Sequence, residues 1–195
     1  KKIRFLFRDS DIYLLFDDTL VERNGEFVEE TQKHFDHSTN SYVQGHQYFT
    51  AILNTPFLQL PIFPELYSKN TDSKIEMANN LISKLAQAKI PIHTCLFDSW
   101  YSDKNLIKAC LKAKTRSICA IKTNRKVRFF KAQKYNPLSL ISQRTRVQKL
   151  HEHKIGDKIY DTWSKETYLN KLPLMRLVIS HERVDGKLSD RVIHL

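Results

Sequence analysis

The chain has 195 residues and a formal net charge of +11, with 41% hydrophobic and 27% charged residues. That length holds one good-sized domain with a real core and room for an inserted subdomain. The balance is that of a globular chain, and with only 4 Gly and 6 Pro it excludes collagen-like and low-complexity classes.

No uninterrupted apolar run reaches membrane-spanning length. The basic start Lys1-Lys2 is followed within a few residues by Arg4, Arg8, Asp9 and Asp11, so no signal peptide is expected. The first residue is not Met, and Leu195 follows an apolar, strand-like run, so both ends are expected to be cuts through a longer protein. Cys95, Cys110 and Cys119 lack C-x-x-C spacing and stand in apolar or helical settings, which predicts buried reduced thiols of a cytosolic protein. Charge is placed unevenly: residues 1–103 hold 10 Lys+Arg against 14 Asp+Glu, net −4, and residues 104–195 hold 22 against 7, net +15. An acidic half that can hold a metal beside a half that binds polyanions fits this asymmetry, as does a merely solvated basic surface.

In chain order, Ile12-Tyr13-Leu14-Leu15-Phe16 predicts a strand buried on both faces, ending at Asp17-Asp18-Thr19. Residues 21–40 are polar and acidic, with a turn at Asn24-Gly25. Residues 41–53 predict one or two strands, broken or bulged at Gly45, and a connection bearing Pro56, Pro61 and Pro64 follows. Residues 73–89 predict a helix: Ser73 and Glu76 form a capping box, Ala78, Leu81, Ile82 and Leu85 make one stripe, and Pro91 closes it. Residues 92–97 predict a second buried strand, again ending in an acid, Asp98. Ser102 is placed to cap a helix to about Lys114 with Leu106, Ile107, Cys110 and Leu111 inward, and residues 117–121 predict a third strand. The order β, β-hairpin, α, β, α, β predicts an α/β sheet with parallel neighbours. Beyond Lys122 come a basic stretch and strand-like pieces at 147–150, 158–163, 174–180 and 192–195, the last two joined by a turn at Asp185-Gly186. The predicted organisation is a core over 1–122 and a basic, mostly β subdomain over 123–195.

Two buried strands each deliver an Asp at the carboxyl end, the edge where sites form in α/β sheets. Adjacent carboxylates repel unless a cation lies between them. Mg²⁺ suits such a pair, since it takes hard oxygen ligands, few of them from protein. Asp after a strand is also a common turn former or helix cap.

The segments Phe16-Asp17-Asp18-Thr19, Val43-Gln44-Gly45-His46-Gln47 and Leu96-Phe97-Asp98-Ser99-Trp100-Tyr101-Ser102, in this order and spacing, resemble the DDE transposases of the insertion sequence four family. The resemblance covers residues 11–125 and more loosely the rest. It implies an RNase H-like mixed sheet with flanking helices and a β-rich insertion subdomain. It implies catalytic, metal-binding roles for Asp18, which directly precedes Thr19, and for Asp98, with Mg²⁺ or Mn²⁺ as cofactor. Asp17 replaces Asp18 if the register slips by one, because alternate side chains along a strand face opposite ways; otherwise it is a turn former or an acid behind the ligand. The family's third acid, in a Tyr-x2-Arg-x3-Glu-x6-Lys helix, has no match: Tyr160 and Tyr168 lack the following Arg and Glu, and Glu182 falls in a strand or turn context. The resemblance further implies DNA partners (transposon ends and target), a homodimer when intact, and a cytoplasmic, nucleoid-associated location. The alternatives are a catalytically inactive DNA-binding remnant of a truncated element, or another RNase H-like nuclease or resolvase.

Lys122, Arg125, Lys126, Arg128, Lys131 and Lys134 surround Phe129, Phe130 and Tyr135, a composition that contacts phosphates and stacks on unpaired bases. Arg144 and Arg146 are a weaker case of the same kind. Trp100 and Tyr101 are expected in core packing, with stacking on a flipped base as the family's alternative; His46 is expected as a hydrogen-bonded sheet histidine. His34 with His37, and His151 with His153, lack partners at zinc-ligand spacing.

Overall fold

The computed structural model of the chain describes residues 11–23, 25, 27–36, 39–146, 148, 150–169 and 172–195. Asn24 of the expected turn, His37, and Val147 and Lys149 of the expected strand at 147–150 lie outside the described residues. The architecture is mixed α/β, with two multi-stranded sheets and, among the described residues, three helices. The chain divides into two compact units, Lys1–Ile118 and Cys119–Leu195; the sequence places its boundary after Lys122.

Unit 1 contains β1 (Ile12–Glu22), β2 (Gln32–Asp36), β3 (Ser41–Asn54), β4 (Gln59–Tyr67), α1 (Lys74–Gln87), β5 (Ile92–Phe97), α2 (Lys104–Lys112) and all but the last residue of β6 (Arg116–Cys119). Its sheet runs β2-β3-β1-β5-β6, with β4 also on β3. β3 is antiparallel to β1, whereas β5 is parallel to β1.

Several elements depart from expectation for physical reasons. β1 does not stop at its acids but continues to Glu22, paired with β3 throughout. β3 passes unbroken through Gly45, which pairs with Glu22 on one side and Gln32 on the other; its irregularity lies instead against β4, between Phe49 and Ala51. From Gln59 onward the proline-bearing connection is a strand, β4, which among the described residues pairs with β3 alone. An edge position tolerates Pro61 and Pro64 because proline has no N–H to offer a second neighbour.

Helix α1 starts at the predicted capping box: the Ser73 hydroxyl accepts from Glu76 N–H, and the Glu76 carboxylate accepts from Ser73 N–H. Met77, Ala78, Ile82 and Leu85 are buried. Helix α2 is capped by Asp103, whose carboxylate accepts from Asn105 N–H, and not by Ser102. It buries Leu106, Ile107 and Cys110 but leaves Leu111 exposed. Against these helices β1 presents Ile12, Leu14 and Phe16, all buried. Phe16 stacks on Phe97 with ring centroids 5.1 Å apart and meets Tyr101 edge-on at 5.2 Å. All three cysteines are buried and free.

Unit 2 contains β7 (Lys126–Arg128), β8 (Asn136–Pro137), α3 (Leu138–Thr145), β9 (His151–Ile155), β10 (Lys158–Leu169), β11 (Leu174–Val184) and β12 (Lys187–His194). Its sheet runs β12-β11-β10-β7-β8, with β9 also on β10. The predicted turn joins β11 to β12: Asp185 and Gly186 both have positive φ, 49° and 73°, as a tight hairpin requires. Helix α3 was not evident in the sequence; it follows Pro137 and buries Leu138 and Ile141 against Val127, Leu169, Leu177 and Ile179.

Candidate active site

β1 and β5 lie side by side, with Leu14 opposite Cys95 and Leu15 opposite Leu96. Two residues further along each chain segment stand Asp17 and Asp98. β5 ends at Phe97, while β1 runs on against β3, with Asp17 opposite Thr50 and Asp18 opposite Phe49. The acids therefore stand where the parallel pairing stops, at the carboxyl edge of β5.

Alternation along β1 separates its two acids. Asp18 follows Ile12, Leu14 and Phe16 on the helix-facing side, and its partners are there. Its Oδ2 accepts from Lys74 Nζ at 2.9 Å and from Gln47 Nε2. Its Oδ1 accepts from the Tyr101 hydroxyl at 3.4 Å. Asp17 faces the other way. With Asp98 it lines a cavity of about 480 Å³ whose walls are Leu15, Thr50, Ile52 and Leu96 together with the buried-side residues Phe16, Ala51 and Phe97. The sequence reading named Asp18 and Asp98 as the ligands with Asp17 behind; along β1 positions 12, 14 and 16 are buried, Asp18 continues that side half-buried, and Asp17 is exposed.

Asp98 follows β5 directly and closes a tight turn. Its Oδ1 accepts from Trp100 N–H at 2.8 Å and Tyr101 N–H at 3.2 Å, and among the described residues its Oδ2 has no protein partner. The Asp17 carboxyl is held above its ordinary range. Partial desolvation contributes most, and the charges of Asp18 and Asp98 add to it, against the lowering effects of Asp18 N–H and Lys74. Two carboxylates at one cavity edge, one of them disfavoured in its charged form by desolvation first and by neighbouring carboxylates second, are a donor set suited to a divalent cation. Hard oxygens, few in number, with open space alongside, fit Mg²⁺ or Mn²⁺. Among the described residues no group of three or more His, Cys, Asp or Glu side chains is placed to hold a metal.

Tyr101 is fully buried, and its hydroxyl is shifted upward by desolvation and then by the nearby carboxylates. Trp100 is 44% exposed. His46 contacts the Glu29 carbonyl oxygen at 2.8 Å. Lys74 and Gln47 were not singled out from the sequence; only the fold brings them to Asp18, across 56 and 29 positions.

In unit 2, the sequence gives 17 Lys+Arg against 7 Asp+Glu over residues 119–195, net +10. Lys122, Arg125, Lys126, Lys131 and Lys134 are exposed. Arg128 is half-buried: its guanidinium lies 4.8 Å from the Tyr135 ring centre and 5.6 Å from that of Tyr168, and it donates to the Lys131 carbonyl. Lys165, not anticipated, covers Phe129 at 4.8 Å and Phe130 at 5.6 Å. Glu182 is in β11 and pairs with Lys158 at 2.8 Å.

No protein-family model matches the sequence, and no curated protein matches it. Among solved structures, the chain is similar to a piggyBac transposase in a synaptic complex with hairpin DNA, with a TM-score of 0.42 and 10% identity. The match covers 92% of this chain and 34% of that one, so the chain spans about a third of that transposase. A likeness of this extent assigns no activity.

Proposed function

We propose that the chain is part of a DNA strand-cleaving enzyme of the DDE transposase kind, with Asp17 and Asp98 as its first two acidic ligands. The observation that carries this reading is their common cavity, at the end of two adjacent parallel strands. Asp17 and Asp98 would hold Mg²⁺ or Mn²⁺. A divalent cation bound there supplies Lewis-acid activation of a phosphodiester and of the oxygen that attacks it. Water, then a DNA 3′-hydroxyl, is the attacking group in the intact protein, on the resemblance to the insertion sequence four family. The third acid of that family's motif has no match in this sequence, so strand cleavage belongs to a protein that includes it. The exposed cations of unit 2 hold the DNA by its phosphates, positioning it without reading its sequence. The homodimer and the nucleoid-associated location rest on the family resemblance alone.

Asp18 is the less suitable ligand. Its Oδ2 is already paired with the Lys74 ammonium, and it does not line the cavity that Asp17 and Asp98 share. A DNA-binding remnant without cleavage activity is the second reading, favoured by the +10 charge of unit 2.

The test is Mn²⁺ binding to this chain, followed by electron paramagnetic resonance. Asp17→Asn and Asp98→Asn should each abolish specific binding, and Asp18→Asn, which keeps an acceptor for Lys74, should retain it. Binding lost in Asp18→Asn but kept in Asp17→Asn would return the role to Asp18. Mn²⁺ binding indifferent to all three would leave the remnant reading.

A further inference from the structure

Lys74 stands where a lysine is poorly placed on general grounds. It is the first residue of α1, at the positive end of the helix dipole, and its side chain is only 9% exposed. Lysine is rarely buried unless paired. Here the ammonium is held by three groups: Asp18 Oδ2 at 2.9 Å, the Trp100 ring at 4.6 Å and the Tyr67 ring at 5.3 Å. Both routes from it lead to Asp98. The backbone N–H of Trp100, whose ring lies beneath the ammonium, donates to Asp98 Oδ1. Asp18, paired with the ammonium, accepts from the hydroxyl of Tyr101, whose N–H donates to the same Asp98 oxygen.

We infer that Lys74 is a positioning residue for metal binding: an internal ammonium that fixes the Trp100-Tyr101 turn and so orients Asp98 with Oδ1 tied down and Oδ2 presented to the cavity shared with Asp17. This rests on the reading of Asp17 and Asp98 as ligands. Groups behind a ligand commonly set its geometry, and their removal weakens metal binding. A buried pair of this kind is a poor source of stability but a good source of fixed geometry.

Electrostatics alone predicts the opposite effect, which makes the test decisive. Removing an ammonium near a cation site favours the cation by Coulomb's law. Lys74→Met should nonetheless weaken Mn²⁺ binding by about tenfold, while Lys74→Arg, which keeps the cation and its stacking on Trp100, should bind nearly as wild type. Should Lys74→Met fail to fold by circular dichroism, the charge-neutral Asp18→Asn/Lys74→Met pair takes its place, with the same loss expected. Equal or tighter binding in a folded Lys74→Met or double variant overturns the inference while Asp17 and Asp98 keep their roles. Wild-type binding that does not depend on Asp17 and Asp98 overturns those roles and this inference with them.

Discussion

A Cβ atom built on Gly45 would lie 2.4 Å from the carbonyl oxygen of Val21 on the neighbouring strand. No flexible side chain can yield there, because the obstacle is backbone. Gly45 is thus required by the closeness of β1 and β3, not by an unusual backbone angle. Gly45→Ala should cost about 2 kcal/mol in urea unfolding, the usual scale for overpacking. Gly156→Ala provides the contrast: nothing lies within 4 Å of a Cβ there, and its cost would arise from its φ of +59° alone.

The Asp18–Lys74 pair makes an asymmetric prediction. Asp18→Ala strands an ammonium that is 9% exposed, and should lose about 2 kcal/mol of stability. Asp17→Ala removes a carboxyl already disfavoured in its charged form and should be neutral or slightly stabilising without metal. Replacing both partners, as Asp18→Leu/Lys74→Met, should recover most of the Asp18→Ala loss, since apolar replacements of a buried pair are often tolerated. A double-variant cycle in urea measures it; an Asp17→Ala as costly as Asp18→Ala would contradict the assignment of faces.

Unit 2 should be sensitive to acid. His181 and His194 are buried. Burial lowers the pKa of both below the ordinary 6.5. The Arg146 charge lowers His181 further, against the opposing pull of Asp161, and the His181 charge lowers His194 further. Among the described residues His181 Nδ1 has no hydrogen-bond partner, and His194 Nε2 is bonded to the Ser142 hydroxyl. The unfolded chain therefore takes up these protons more readily than the folded one. Their contribution to stability is fully present above the unfolded value, near 6.5, and is lost as pH falls through the lower folded values. Thermal unfolding followed by Trp163 fluorescence in a Trp100→Phe background should show a midpoint that falls below pH 6.5. His194→Gln should flatten that fall.

These outcomes track what the sequence could and could not reveal. The capping box at Ser73 and the Asp185-Gly186 turn depend on neighbours in the chain, and both are legible there. So is the adjacency of the two acid-ended strands, since a helical crossover between apolar runs favours parallel pairing. The assignment between Asp17 and Asp18 was not legible. Residues 12–16 are apolar at every position, so alternation leaves no trace, and only packing against the helices reveals which side is inward. Lys74 was hidden for a related reason: by composition it reads as an exposed first-turn residue, and only the fold brings Asp18 and Trp100 to it. The edge strand β4 was masked by Pro61 and Pro64, whose disruption of a sheet is confined to interior strands.

The cations of unit 2 divide into two kinds, and DNA binding should separate them. Lys126, Lys131 and Lys134 are exposed, so their expected role is phosphate contact. Each Lys→Ala change should weaken binding to all sequences alike. Each should also lower the slope of log affinity against log salt concentration by about one. Arg128 is built into the unit, its guanidinium set against Tyr135 and Tyr168 and its Nη1 bonded to the Lys131 carbonyl. Arg128→Ala should lower the thermal midpoint of the unit and disturb the 129–135 segment, with DNA affinity falling as a consequence of that disorder. Arg128→Lys should not rescue it, because an ammonium lacks the planar face that stacks between two rings. Fluorescence anisotropy with duplexes of unrelated sequence at several salt concentrations, run beside thermal melts, distinguishes the classes. A salt slope unchanged by all three lysine substitutions would remove this surface as the DNA-binding face.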